Sequence, residues 1–219
     1  MDGTRIILVR HGESRAQELG ILGGHAGCAG LSDRGRRQVE ALRDRLIGTQ
    51  ELAGATALYS SIMPRAIETA EILAPAVGGL EVRSECDFCE GHPGDADGIT
   101  WAELAERYPS PDGWDPDHSP APGWETWREM GVRVQKALDS LVARHPGETV
   151  VVACHGGVVV HAMLHWLALD EVATDRRAWM SPENSGLTEW RFGANPYQKD
   201  TLPVELVRFN DHAHLNGLS

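Results

Sequence analysis

A three-layer α/β/α sandwich around a mostly parallel central sheet is the fold class this sequence predicts. Three observations predict it. Short apolar runs alternate with longer stretches of helical period. Two of those runs, RIILV at 5–9 and TVVVAC at 149–154, read as strands buried in the middle of a sheet. The length of 219 residues, with 42% hydrophobic and 24% charged residues, suits a globular domain and argues against a disordered or fibrous chain.

The elements follow in order. The first strand spans 5–9. A helix is predicted over 32–48, where Ser32 or Asp33 can cap it and Val39, Leu42 and Leu46 recur at helical spacing. A second strand follows at 55–59. The helix at 64–73 carries Pro64 in its first turn, where a missing N–H costs little. A third strand is expected at 80–83. A long helix over 124–145 places Trp127, Met130, Val134, Leu138 and Leu141 on one stripe. The strand at 149–154 leads into a helix over 158–169, and late strands are expected at 186–192 and 202–209. No internal repeat is visible. The stretch 84–123 breaks this rhythm. It is rich in Pro, Gly, Asp and Trp and holds one short helical stretch near 100–108. A connection of that length reads as a lid-like insertion within a single domain spanning 1–219, with a variable surface loop as the plainer alternative.

Charge narrows the function classes. The net charge is −12, from 32 acids against 20 bases, which is a poor balance for nucleic acid or an anionic membrane. Only Lys136 and Lys199 are lysines, so nearly every fixed positive charge is a planar guanidinium suited to an oxyanion. The apolar runs are too short to span a bilayer. The first residues lack the pattern of a secretory signal, so a cytoplasmic setting is expected, with Cys28, Cys86, Cys89 and Cys154 reduced. Cys86, Cys89 and His92 have zinc-ligand spacing. No second close pair completes four ligands, so the expectation is that no metal and no other cofactor is bound.

The chemistry gathers after the strands. His11 follows RIILV in V-R-H-G-E-S, and His155 follows TVVVAC in A-C-H-G-G-V. Ligands of open parallel sheets bind outside the carboxyl ends of the strands, and glycines there let backbone N–H groups face an anion. Arg10 adjoins His11, and Arg65 opens the helix after the second strand. Taken alone, Arg65 reads as a surface residue paired with Glu68. Together Arg10, His11, Arg65 and His155 would form a basic pocket in an acidic protein, the expected form of a site for one phosphoryl group. His11 is expected to offer its side chain to solvent rather than to the core.

R-H-G-E-S at 10–14, S-x-x-x-R-A-x-E-T-A at 61–70 and H-G-G at 155–157 resemble the histidine phosphatase superfamily, also called phosphoglycerate-mutase-like. G-L-S-x-x-G-R-x-Q at 30–38 and F-N-D-x-x-H-L at 209–215 are similar to it as well, so the resemblance covers nearly the whole chain. It implies a metal-independent phosphomonoesterase acting on a small phosphorylated metabolite. His11 would attack phosphorus and carry a phosphohistidine, while Arg10, Arg65 and His155 would hold the phosphate oxygens. It also implies an acid that protonates the leaving oxygen and then activates water. Counting back ten residues from Thr100 in G-I-T-W-A-E-L places that acid at Glu90, with Glu85 and Asp87 as competitors. Ser14, Gln17, Gly24 and His25 match positions that line the substrate pocket in relatives, although the family frequently has Asn where this chain has Gln17.

Two alternatives stand beside the phosphatase. A phosphoglycerate-type mutase is disfavoured because this chain has C-E-G-H-P-G-D where the family mutases have E-R-H-Y-G. The other is a catalytically inactive binding module of the same fold. A small phosphorylated substrate is the one partner the residues point to. The oligomeric state stays open, a homodimer included. Ten acids in 84–123 and the faces of Trp101, Trp114 and Trp124 point to a monophosphate whose remainder is uncharged or positive, unless those acids all face solvent.

Overall fold

The computed structural model describes residues 3–169, 180–193 and 203–218. Strands β1 (Thr4–Arg10), β2 (Ala57–Ser60), β3 (Val82–Ser84), β4 (Thr149–Cys154), β5 (Leu187–Phe192) and β6 (Val204–Asp211) form one sheet in the order β3-β2-β4-β1-β5-β6. From β3 to β1 every neighbour is parallel, and β5 and β6 close the sheet antiparallel. Among the described residues six α-helices accompany it: α1 (Arg15–Glu18), α2 (Asp33–Thr49), α3 (Pro64–Leu73), α4 (Trp101–Arg107), α5 (Trp127–Arg144) and α6 (Gly156–Trp166). Val39, Leu42 and Leu46 of α2 and Ala70 and Leu73 of α3 pack on Ile7, Val9, Leu58 and Val151, one face of the sheet. Met130, Val134, Leu138 and Leu141 of α5 and Val158, Val159 and Ala162 of α6 pack on Ile6, Leu8, Val150 and Val152, the other face. Successive strand residues alternate between the two cores, as the pleat requires. The predicted sandwich is therefore the fold.

Several boundaries differ from the sequence reading, for local reasons. α5 begins at Trp127 rather than 124, because Thr126 and Glu129 form a reciprocal capping box. α6 begins at Gly156 rather than 158. The glycine pair reads as a helix breaker, but Glu90 accepts the Gly157 N–H at 3.1 Å and satisfies that end of the helix. α6 ends at Trp166, and Ala168 is left-handed at φ 51°. β3 and β6 start two residues later than expected, and Leu202 of the predicted last strand lies outside the described residues. α1 is an element that carried no periodic signal. Its four residues are held by a second capping box between Ser14 and Gln17. No helix among the described residues is long and apolar enough to cross a membrane.

The loop after β1 is fixed by close backbone contact with α2. A Cβ on Gly35 would lie 2.0 Å from the Glu13 carbonyl oxygen, and one on Gly12 would lie 2.4 Å from the Gly35 carbonyl oxygen. Ser32 Oγ donates to Glu13 Oε1 at 2.8 Å and the Glu13 N–H donates to Gln38 Oε1 at 2.9 Å. The Gly12 N–H reaches Thr69 Oγ1 of α3 at 3.3 Å. The stretch G-L-S-x-x-G-R-x-Q thus acts as a mould for the residues on either side of Gly12.

Gly35→Ala tests that mould. Alanine would favour the helix by up to about 1 kcal/mol, but the added methyl must push the loop away, at about 1–3 kcal/mol. The expected result is a lower denaturant midpoint and a reduced turnover rate. A variant as stable as the parent, with unchanged turnover, would show that the contact is not what holds the loop.

Candidate active site

Parallel pairing of β1 with β4 sets Arg10 opposite Cys154, so the two histidines that follow are neighbours. The His11 N–H donates to the Cys154 carbonyl at 2.9 Å, and the His11 and His155 ring centroids are 5.0 Å apart. Beyond these strand ends opens a cavity of about 880 Å³, whose lining includes Arg10, His11, Ser14, Gln17, Arg65 and Glu90.

His11 is fixed at both ring nitrogens. Nδ1 lies 2.6 Å from the Gly12 carbonyl oxygen and so carries the proton, and Arg65 Nε donates to Nε2 at 3.1 Å. The Nε2 lone pair therefore faces Arg65 at the cavity floor. Arg65 is not a surface residue paired with Glu68. It is 5% exposed and its NH1 donates to the Gly23 carbonyl at 2.6 Å, while Glu68 accepts from Arg36 Nε and the Leu31 N–H. The expectation that His11 offers its side chain to solvent is also corrected. The residue is 4% exposed, because Arg65 reaches in from α3 and covers it.

Burial first, then the charges of Arg65 and Arg10, push the His11 imidazole well below its ordinary range. Burial and Arg65 do the same to His155. His155 is fully buried behind His11 and does not itself line the cavity. Ser61 Oγ lies 2.7 Å from His155 Nε2 and accepts the Met63 N–H at 3.3 Å. Among the described residues, His155 Nδ1 and Arg10 Nε are buried nitrogens with no hydrogen-bond partner. Burial lowers the Arg10 pKa, with Glu90 and Glu183 opposing that shift.

Of the three competing acids, Glu90 lines the cavity, with Oε2 bound to Gly157 N–H. Glu85 pairs with Arg144 at 2.9 Å, and Asp87 is exposed. Ser14 and Gln17 are at the cavity. Gln17 Oε1 accepts from the Ser14 N–H, and its amide pairs with that of Asn184. Gly24 and His25 are not among the lining residues. The Gly24 N–H is bound to Asp97 at 2.8 Å, and His25 is exposed with its ring against His92. The sequence reading missed Ser61, although it opens the S-x-x-x-R stretch, and missed the loop before β5, which carried no signal. In that loop Arg10 NH1 donates to the Pro182 carbonyl, and Asn184 Nδ2 donates to the His11 carbonyl at 3.0 Å.

The segment 84–123 also contributes a wall. Trp101, Trp114, Trp124 and Trp127 line the cavity. Of the ten acids in that segment only Glu90 and Asp115 do so, joined by Glu125 just beyond it. Asp97 instead accepts three backbone N–H groups, Asp117 pairs with Arg128, and Glu103 caps α4. Most of the acidity expected to overhang the site is therefore spent on structure or faces solvent.

Residues 6–202 match the family model described as the histidine phosphatase superfamily (branch 1). The chain is 34% identical over 163 residues to phosphoglycerate mutase-like protein 4 of Arabidopsis thaliana, covering 73% of this chain and 69% of that protein. It is 34% identical over 162 residues to the metal-independent phosphoserine phosphatase of the same plant, covering 71% of this chain and 66% of that protein. A mycobacterial glucosyl-3-phosphoglycerate phosphatase complexed with VO3 shares the fold, with a TM-score of 0.75 at 24% identity over 94% of this chain and 98% of that one.

A neutral His11 has a direct readout. Nitrogen-resolved NMR should show its ring unprotonated at Nε2, with no titration around pH 6.5, where an unperturbed imidazole is half charged. A midpoint near that ordinary value would contradict the buried, arginine-flanked environment.

Proposed function

This chain belongs to the histidine phosphatase superfamily, branch 1, and from that premise we propose how its cavity works: as a metal-independent phosphomonoesterase that hydrolyses a small phosphorylated metabolite through a phosphohistidine on His11. The observation that carries this is the His11 ring itself, with Nδ1 anchored on the Gly12 carbonyl and the Nε2 lone pair held toward the cavity by Arg65. An incoming phosphate oxygen takes the Arg65 donor and frees the lone pair to attack phosphorus. Arg10, with its unpartnered Nε, and Arg65 meet the charge on the equatorial oxygens, and His155 backs the His11 ring with centroids 5.0 Å apart. With two guanidiniums and the His11 imidazole facing one phosphoryl group, no step needs a metal ion.

Glu90 supplies the proton. Its Oε2 rests on Gly157 N–H, which leaves Oε1 to protonate the ester oxygen as the P–O bond breaks and the N–P bond forms. The resulting carboxylate takes a proton from water, which attacks the phosphohistidine and returns His11 and inorganic phosphate. An inactive binding module would have no use for a nucleophile, a proton donor and two guanidiniums held on one cavity.

The rest of the substrate meets tryptophan faces and Asp115. Those surfaces favour an uncharged or ammonium-bearing remainder over a second phosphate. The plant relative named for phosphoserine, a monophosphate that bears an ammonium, supports this reading. Four free thiols suit a reducing cytoplasm, where we place the enzyme.

Two experiments check this assignment. Glu90→Gln should slow hydrolysis of an alkyl phosphate by about 10²-fold or more and an aryl phosphate far less, because only the poor leaving group needs the proton. Equal losses, or that pattern in Glu85→Gln instead, would displace Glu90. For a matched mono- and bisphosphate pair, kcat/KM should favour the monophosphate by about tenfold at low salt and by less at high salt, as screening weakens the repulsion. Equal values would remove the cavity wall from substrate choice.

A further inference from the structure

The C-x-x-C stretch finds its missing partner in the fold. Cys86, Cys89 and His92 lie on the turn that leads into and past Glu90, and His25 comes from the loop after α1. Ligand atoms of all four lie within 4.8 Å of one another, Cys86 Sγ is 3.8 Å from His92 Nε2, and the His25 and His92 rings meet edge to face with centroids 4.9 Å apart. Around a tetrahedral zinc ion, with Zn–S of about 2.3 Å and Zn–N of about 2.0–2.1 Å, such atoms stand about 3.4–3.8 Å apart. The widest pair needs to close by at most about 1–1.4 Å.

We propose that Cys86, Cys89, His92 and His25 form a closed tetrahedral site for a structural zinc ion. The surroundings fit one. The Glu125 carboxylate accepts the His92 backbone N–H at 3.3 Å and lies 4.0 Å from His92 Nδ1, close enough to become the partner of that nitrogen once Nε2 binds the ion. Glu125 is held by Arg133 at 2.6 and 2.8 Å, and Arg133 also donates to the carbonyls of Asp87 and Cys89, which fixes the turn between the cysteines. Two thiolates and two neutral imidazoles bring the ion to zero net charge, as a half-buried site favours, and binding releases the two thiol protons. Four protein ligands leave no open position, so the ion holds structure and does not take part in phosphoryl transfer. What it ties together is specific: the turn that carries Glu90, and the loop whose Gly23 carbonyl anchors Arg65. This inference stands on the four side chains and does not rest on the phosphatase reading.

The test uses the full chain, free of any polyhistidine tag and kept reduced, produced in zinc-supplemented medium. Elemental analysis should find about one zinc per chain. Stripping the metal should expose two further thiols to a thiol reagent and lower the thermal midpoint, and cobalt(II) should restore the intense visible bands of a tetrahedral thiolate site. His25→Ala and Cys86→Ser should each weaken zinc binding at least tenfold. His25 is exposed, so its loss opens no core cavity, and circular dichroism of that variant should match the parent. Three results would overturn the proposal: no zinc in the parent even after loading under reducing conditions, zinc retained equally by both variants, or a Cys86–Cys89 disulfide in place of the metal.

Discussion

Two guanidiniums lie in the floor of the cavity, and among the described residues neither forms an ion pair with a carboxylate. Arg10 and Arg65 spend one nitrogen each on backbone carbonyls, of Pro182 and Gly23, and present what remains to His11 and the space beside it. Burying positive charge without an anion is unfavourable, and the fold tolerates it only because the backbone carbonyls are aimed correctly. On the proposed function, a phosphate dianion is the missing partner. Burial first, and then the same charges, keep His11 and His155 neutral, so on the proposed reading the feature that attracts the substrate also helps preserve the lone pair of His11.

Much of the molecule can be understood as support for that arrangement. Ser32, Gly35 and Gln38 shape the loop around Gly12, and Thr69 holds Gly12 from α3. The C-terminal F-N-D-x-x-H-L stretch acts at one remove. Asn210 Oδ1 accepts the Glu183 N–H at 2.7 Å and His214 Nε2 lies 2.7 Å from Ser185 Oγ, so the stretch braces the loop that grips Arg10 and His11. Asp211 forks onto Arg45 of α2, which lowers its carboxyl to about 2 and ties that brace to the helix under Gly12. Motifs far apart in the chain therefore converge on one task.

The order of strands and helices was legible because periodicity is a local property, and so were His11 and His155, because each follows a strand that no other reading fits. Glu90 was legible only through its distance from Thr100. What could not be read depended on residues that meet across the fold. The start of α6 at Gly156 rather than 158 depends on Glu90, which accepts the Gly157 N–H from a distant loop. The depth of His11 depends on an arginine from another helix, and the partner of Cys86, Cys89 and His92 comes from a loop before the second helix. Gly24 and His25 matched pocket positions by alignment of motifs, yet Asp97 and His92 draw them away from the cavity. The start of α5 is a different case, since the T-x-x-E of residues 126–129 was in plain sight.

The central claim is that His11 becomes covalently phosphorylated. Rapid quenching during turnover, followed by mass spectrometry under alkaline conditions that preserve phosphoramidates, addresses it most directly. An acid-labile phosphate should appear on His11 and vanish in a folded His11→Ala variant that no longer turns over. Phosphate trapped on another residue, or a His11→Ala enzyme that still releases phosphate at the parent rate, would contradict the account.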